Sequence, residues 1–269
     1  TTDAAVTPWQ IGDGSGNPVE ATGDEQVELF RSVKAGNGRV EIALTDGGTL
    51  SAAQVNDLSV AGTANCYVVS APGTYVFNAR VRGNGAGEGV GFEPAIEMAD
   101  GMTADWLWTD SEGLVSGVAL DTTSGDIFLT VGEGRGNALV ALMQDGKVVW
   151  SWHVWVTDAP QTMTYGNGTV FMDRNLGAVG TTAGGTDAYG MYYQWGRKDP
   201  FYGGEKTETS ANAFLEAKNG TVVNPAYPAL DWAFSKSATT TDGAAANPMT
   251  FYNDKVGTGY NWLASPNAT

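Results

Sequence analysis

Between residues 137 and 156 the chain reads as two apolar runs around a polar pair: Asn-Ala-Leu-Val-Ala-Leu-Met-Gln, then Asp145-Gly146, then Lys-Val-Val-Trp-Ser-Trp-His-Val-Trp-Val. Both central residues of a type I′ turn need positive φ, so Asp-Gly between such runs predicts a β-hairpin. A two-residue loop sets Gln144 against Lys147 and Met143 against Val148. Counting on places Ala141 against Trp150 and Leu139 against Trp152. These side chains, with Val154 and Val156, form the predicted core face; Trp150 and Trp152 are core on this reading. Lys147, Val149, Ser151, His153 and Trp155 fall on the opposite face, predicted to lie partly in water. Asp158-Ala-Pro160 ends the strand, because proline cannot continue a central one.

Upstream, Val27-Glu-Leu-Phe30 and Arg39-Val-Glu-Ile-Ala-Leu44 alternate as strands do, and residues 1–57 are assigned to an N-terminal β segment or the tail of a preceding domain. From residue 58 the pattern is regular. Strands are predicted at 65–70, 74–81, 106–108, 114–120 and 126–131, followed by the hairpin. About seven short strands at this spacing fit an immunoglobulin-like β-sandwich over 58–160, without the Cys-Trp-Cys hallmark. After Pro160 the texture becomes loop-like and aromatic. Residues 161–269 are read as a second module with one strand within 169–177, a short helix at 210–218, and five aromatics in the thirteen positions from Tyr189 to Phe201.

Composition supports a mainly β fold. Among 269 residues there are 37 glycines, 42% are hydrophobic and only 16% charged, which suits short strands and tight turns around a packed core. The net charge of −16 is uneven. Seven basic residues face 21 acidic ones before Gln161, a net of −14, and seven face nine afterwards, a net of −2. Such acidity repels phosphate backbones, so nucleic acid is excluded as a partner. No apolar run approaches the roughly 20 residues of a membrane-spanning helix. A start at Thr1 is read as that of a processed or trimmed chain.

Candidate chemistry is sparse. Cys66 is the one cysteine, so no disulfide forms within the chain and no CxxC metal pair exists. Asp13-Gly-Ser-Gly-Asn17 spaces oxygen ligands as calcium loops do but lacks the distal Glu, and reads as a turn. Gly132-Glu-Gly-Arg-Gly136 is not a phosphate loop: the third glycine is misplaced and no Lys-Ser/Thr follows. The alternate glycines of 83–91 read as a loop. His153, the one histidine, sits between two tryptophans with no GxSxG elbow anywhere, so it is read as a strand residue rather than a catalytic base. No cofactor or metal is expected. Aromatic faces stack on sugars, and with Trp150, Trp152 and Trp195 assigned to core, Trp9, Trp155, Trp232 and Trp262 remain. Trp155, Trp232, Trp262 and Tyr192 are the predicted ligand-binding residues.

Two stretches carry a resemblance. Asn65-Cys-Tyr-Val-Val-Ser-Ala-Pro-Gly-Thr-Tyr-Val-Phe77 with Val149-Trp-Ser-Trp-His-Val-Trp-Val-Thr-Asp158 forms the first. Met172-Asp-Arg-Asn-Leu-Gly-Ala178 with Gly190-Met-Tyr-Tyr-Gln-Trp-Gly-Arg-Lys-Asp-Pro-Phe201 forms the second. Together, over residues 58–201, they resemble fimbrillin-like surface proteins of Bacteroidetes, in which an immunoglobulin-like module precedes a domain of the Fibrobacter succinogenes major paralogous type. The resemblance implies export to the bacterial cell surface, no catalysis, and a C-type-lectin-like α+β second module. The implied partners are other surface or pilus subunits and host or dietary glycans. The family's Cys-Pro-x-Gly-Trp-Arg-x-Pro segment is absent, so the second module is expected to be incomplete and finished by a neighbouring subunit or a longer polypeptide. Asp121-Thr122-Thr123 is similar to the sites that Bacteroidetes O-glycosylate, which makes Thr122 a candidate modification site. The resulting expectation is a non-enzymatic structural or adhesive protein, with a glycan-binding accessory protein as the alternative.

Overall fold

The computed structural model describes residues 33–35, 38–45, 49–83, 94–202, 220–253 and 262–264, with side chains from Val55 onward. Trp9, the 13–17 turn, the strand at 27–30, most of the 83–91 loop and the helix at 210–218 lie outside these. The chain divides into two compact units, Thr1–Gln54 and Val55–Thr269. In the first, β1 (Val33–Ala35) and β2 (Gly38–Thr45) form an antiparallel hairpin with Lys34 opposite Arg39. The second takes in both modules read from the sequence, so residues on either side of Pro160 belong to one compact body.

That body is mainly β. Residues 55–57, the end of β3 (Thr49–Asp57), pair parallel with β5 (Gly73–Asn78), which continues through β8 (Asp126–Val131) to β7 (Val115–Asp121). A second sheet runs β6 (Met102–Thr109), β9 (Gly136–Gln144), β10 (Lys147–Val156) and β4 (Cys66–Val69), the last pair parallel. One core joins the two sheets: Phe77, Ile127 and Leu129 from the first meet Val140, Leu142, Trp152 and Val154 from the second. The Phe77 ring packs at a tilt against Trp152 and Tyr67, with centroids 5.1 Å and 5.0 Å away.

The β9–β10 turn forms as the Asp-Gly pair predicts, with φ of 52° at Asp145 and 72° at Gly146. Its register departs from prediction after two pairs. Gln144 faces Lys147 and Met143 faces Val148, then a bulge at Val149 sets Trp150 against Leu142, Ser151 against Ala141 and Trp152 against Val140. One extra residue on β10 moves the predicted core set onto two faces. Trp150, Trp152, Val154 and Val156 turn inward with Leu142, Val140 and Ala138. Val148 stays with Met143, Ala141 and Leu139 on the outer face.

That outer face is not in water, which overturns the expectation for Ser151, His153 and Trp155; each is 1% exposed. The chain after Pro160 covers it. Phe201, Trp232 and Met249 pack on Leu107, Trp108, Leu139 and Met143 in a second core. The covering chain is short pieces: β11 (Thr162–Thr164) with β12 (Val170–Met172), β13 (Tyr192–Tyr193) with β14 (Pro200–Phe201), and β16 (Ala233–Ser235) parallel to β17 (Thr250–Tyr252). Helix α1 (Thr241–Ala246) is capped by the Thr240 side chain, which accepts from the Gly243 amide. β15 (Val222–Val223) pairs with Thr109 and Trp108, extending the β6 edge of the second sheet. No helix among the described residues is long and apolar enough to cross a membrane.

Candidate functional site

A row of polar side chains crosses the buried interface between β10 and its cover. Asn137 Nδ2 donates to Asp110 Oδ2 at 2.8 Å and to the Gly177 carbonyl at 3.0 Å. Its Oδ1 is therefore an acceptor, and His153 Nε2, 2.8 Å away, is the donor. This fixes the tautomer: Nδ1 is left as an acceptor for the Cys66 thiol and the Tyr193 hydroxyl, each 3.2 Å away. The order Cys–His–Asn matches that of thiol nucleophiles. The electrostatics run the other way. Such a nucleophile needs its thiol pKa lowered, whereas burial pushes the Cys66 thiol up to about 12 and the His153 imidazole down to about 3. Burial also raises Tyr193 and Asp110. Cys66, Tyr193, His153 and Asn137 form a hydrogen-bond chain that ends on the Asp110 carboxyl and satisfies polar groups where the two layers meet. Among the described residues no group of three His, Cys, Asp or Glu side chains is placed to hold a metal ion.

Three of the four predicted ligand-binding residues are largely buried. Trp155 is 1% exposed and donates its indole N–H to the Ala178 carbonyl at 3.0 Å. Trp232 lies between Trp108 and Phe201, each 5.4 Å away by ring centroid, and donates to Thr221 Oγ1. Trp262 is buried except for 9% and donates to the Trp195 carbonyl at 2.7 Å. The expectation for Trp155 followed from reading the second face of β10 as open, and that for Trp232 and Trp262 from their lying outside the predicted strands. Tyr192 on β13 is accessible. Thr122 is exposed in the turn after β7, where Asp121 Oδ1 accepts from the Thr123 and Ser124 amides.

Trp195, assigned from the sequence to the core, is 93% exposed. It occupies a tight turn over residues 194–197, closed by the Arg197 amide on the Gln194 carbonyl at 2.9 Å, with Gly196 at φ 77°. Positive φ at the third position explains the glycine. The turn is braced on all sides. Gln194 donates to the Tyr252 carbonyl, and the Arg197 guanidinium donates to Gln194 Oε1 and to the carbonyls of Thr250, Ala244 and Asn247. Next to it opens a cavity of about 240 Å³ lined by Asn65, Arg82, Trp150, residues 196–199, Asp242 and Trp262 among others. A glycine flanked by Trp and Arg in an aromatic run was the one sequence signal for this turn.

A second open region surrounds β11 and β12, whose six residues are all exposed. Met163 and Phe171 are directly opposed, and Tyr165 packs edge-on against Phe171 at 5.6 Å. Beside them is a cleft of about 500 Å³ lined by Phe171, Met172, Asn175, Leu176 and Thr181, with Asp173 and Arg174. The charge in its wall is internally paired: Arg174 donates to both oxygens of Asp158 and both of Asp173. These bonds hold Asp158 down at about 2 and Asp173 below its ordinary value. The cleft thus offers apolar and neutral polar surface. No family model and no curated protein sequence matches the chain.

Proposed function

We infer that this chain is a non-enzymatic binding protein of the bacterial cell surface, structural or adhesive in role, of the fimbrillin-like kind its motifs resemble. One observation carries the reading. Of the twelve large apolar side chains left exposed among the described residues, nine fall between Met163 and Trp195: Met163, Tyr165, Val170, Phe171, Met172, Leu176, Tyr189, Tyr192 and Trp195. Clustered exposed apolar surface marks an interaction site or a ligand-binding groove. The two sheets sharing one core agree with an immunoglobulin-like first part, and the irregular cover with an aromatic-rich second part. The reading is tested by presenting the whole chain to a glycan array and by measuring its self-association. Binding in either assay that is lost in Phe171→Ser supports it; inertness in both, with turnover of a polysaccharide, overturns it. A glycan-binding accessory role is favoured by the braced, exposed Trp195, which a purely structural subunit does not need.

A further inference from the structure

We propose that the cavity beside the Trp195 turn binds a carboxylate carried on a sugar ring, as in a uronic acid residue. This rests on the glycan-binding form of the reading above and names its ligand class.

Charge is the first ground. In a chain of net charge −16, with 14 basic residues in all, Arg82, Arg197 and Lys198 converge on this one cavity. Asp199 is the buried carboxylate among them, 1% exposed. It serves both neighbours: Lys198 Nζ contacts its Oδ1, and Arg197 Nε lies 3.7 Å from its Oδ2. The remaining Arg197 donors go to neutral carbonyl and amide oxygens, and Lys198 spends its others on Ser151. Among the described residues, one buried anion thus faces two buried cations. Asp242 is exposed at the rim, where water screens it. An unbalanced buried charge is costly, and an incoming anion relieves it.

The second ground is hydrogen bonding and shape. Asn65 Oδ1 accepts from the Trp150 indole at 3.2 Å and from the Gly83 amide at 3.0 Å, which orients Nδ2 as a donor with no acceptor among the described residues. The Trp150 face is already occupied, with Lys198 Nζ 4.5 Å and the Arg82 guanidinium 5.4 Å from its centroid. Stacking is therefore left to Trp262, which lines the cavity and is mostly buried, and to the exposed Trp195, on the turn whose next residues line it. About 240 Å³ is below the roughly 300–1,000 Å³ of drug-sized sites and suits one sugar ring.

The test uses the full chain, titrated by calorimetry with glucuronate, glucose and acetate at fixed ionic strength. Glucuronate should bind at least about tenfold more tightly than glucose, and acetate should compete with it weakly. Losing a hydrogen bond to a charged group costs about tenfold. Asn65→Asp, which keeps the acceptor and replaces the donor with a like charge, should reduce glucuronate affinity at least that much. Trp195→Ala, at a fully exposed position that leaves folding intact, should weaken glucuronate and leave acetate unchanged. Equal affinity for glucose and glucuronate, or indifference to Asn65→Asp, overturns the proposal. Glucuronate failing to bind while array binding persists and survives Trp195→Ala removes this site alone. Loss of all glycan binding removes the broader reading.

Discussion

The two faces of β10 are buried to the same degree by different means. On the inner face Trp152, Val154 and Val156 belong to the apolar core that fills the gap between the sheets. On the outer face Ser151, His153 and Trp155 are just as inaccessible, but each is matched to a polar partner: Asp199, Asn137 and the Ala178 carbonyl respectively. Apolar contact is non-directional and tolerates any well-packed partner. Hydrogen bonds in a dry interior demand a particular partner at a particular place. The inner face therefore supplies adhesion between layers, and the outer face specifies which irregular cover fits and in what position.

The largest effect should come from removing one side of the outer interface altogether. Residues 161–269 expressed alone lose Leu107, Trp108, Leu139 and Met143, against which Phe201, Trp232 and Met249 pack. That fragment should aggregate or lack a cooperative melt by calorimetry; a folded monomer would mean that the cover stands without its sheet. Next is Trp152→Ala on the inner face. Truncating a fully buried tryptophan costs about 3–5 kcal/mol, measured by urea denaturation, and a parental midpoint would contradict the observed packing.

His153 sharpens the contrast through pH. Burial holds its folded pKa near 3, below the ordinary 6.5. Between these values the unfolded chain takes up a proton that the folded one does not, so stability falls as pH drops through this window, by about 1.4 kcal/mol per unit at most. Carboxylates add their own acid dependence, so the comparison is with His153→Gln. This variant should show a shallower slope from pH 6 to pH 4, and identical slopes would mean that the imidazole is protonated in the fold. The smallest effect is expected at the open hairpin: Phe171→Ser should change stability by no more than about 0.5 kcal/mol, while lowering binding or self-association. A large drop in midpoint would show that Phe171 belongs to a core.

Strand identity was legible because it rests on local signals. The Asp145-Gly146 turn and the apolar runs beside it are enough to place β9 and β10. Register was not legible beyond the bulge, since nothing in Val148-Val149-Trp150 marks which residue is left unpaired. The burial of Ser151, His153 and Trp155 was hidden by a different ambiguity. Alternation describes a strand with one wet face, and a strand covered on both sides by unlike layers also alternates when the second layer is polar. The absence of any charge between Val148 and Val156 was the available hint. Trp195 was misplaced because composition favours burying tryptophan, whereas its exposure depends on Gly196 and on brackets from Tyr252 and Asn247, far along the chain.

The parallel pairing of β4 with β10 bears on the order of assembly. Cys66 and His153 meet across 87 residues, whereas β9 and β10 meet across a two-residue turn. Hairpins close in about 1–10 μs, but long-range pairing must first meet the entropy of closing a large loop. Loop-closure entropy thus favours an order in which the β9–β10 ribbon forms before β4 pairs with it and before the cover from Gln161 onward lays over Ser151 and Trp155. During that interval β10 presents a free edge and an uncharged face, the combination that recruits other chains. An assembly in this order would pass through a vulnerable stage that the native molecule conceals.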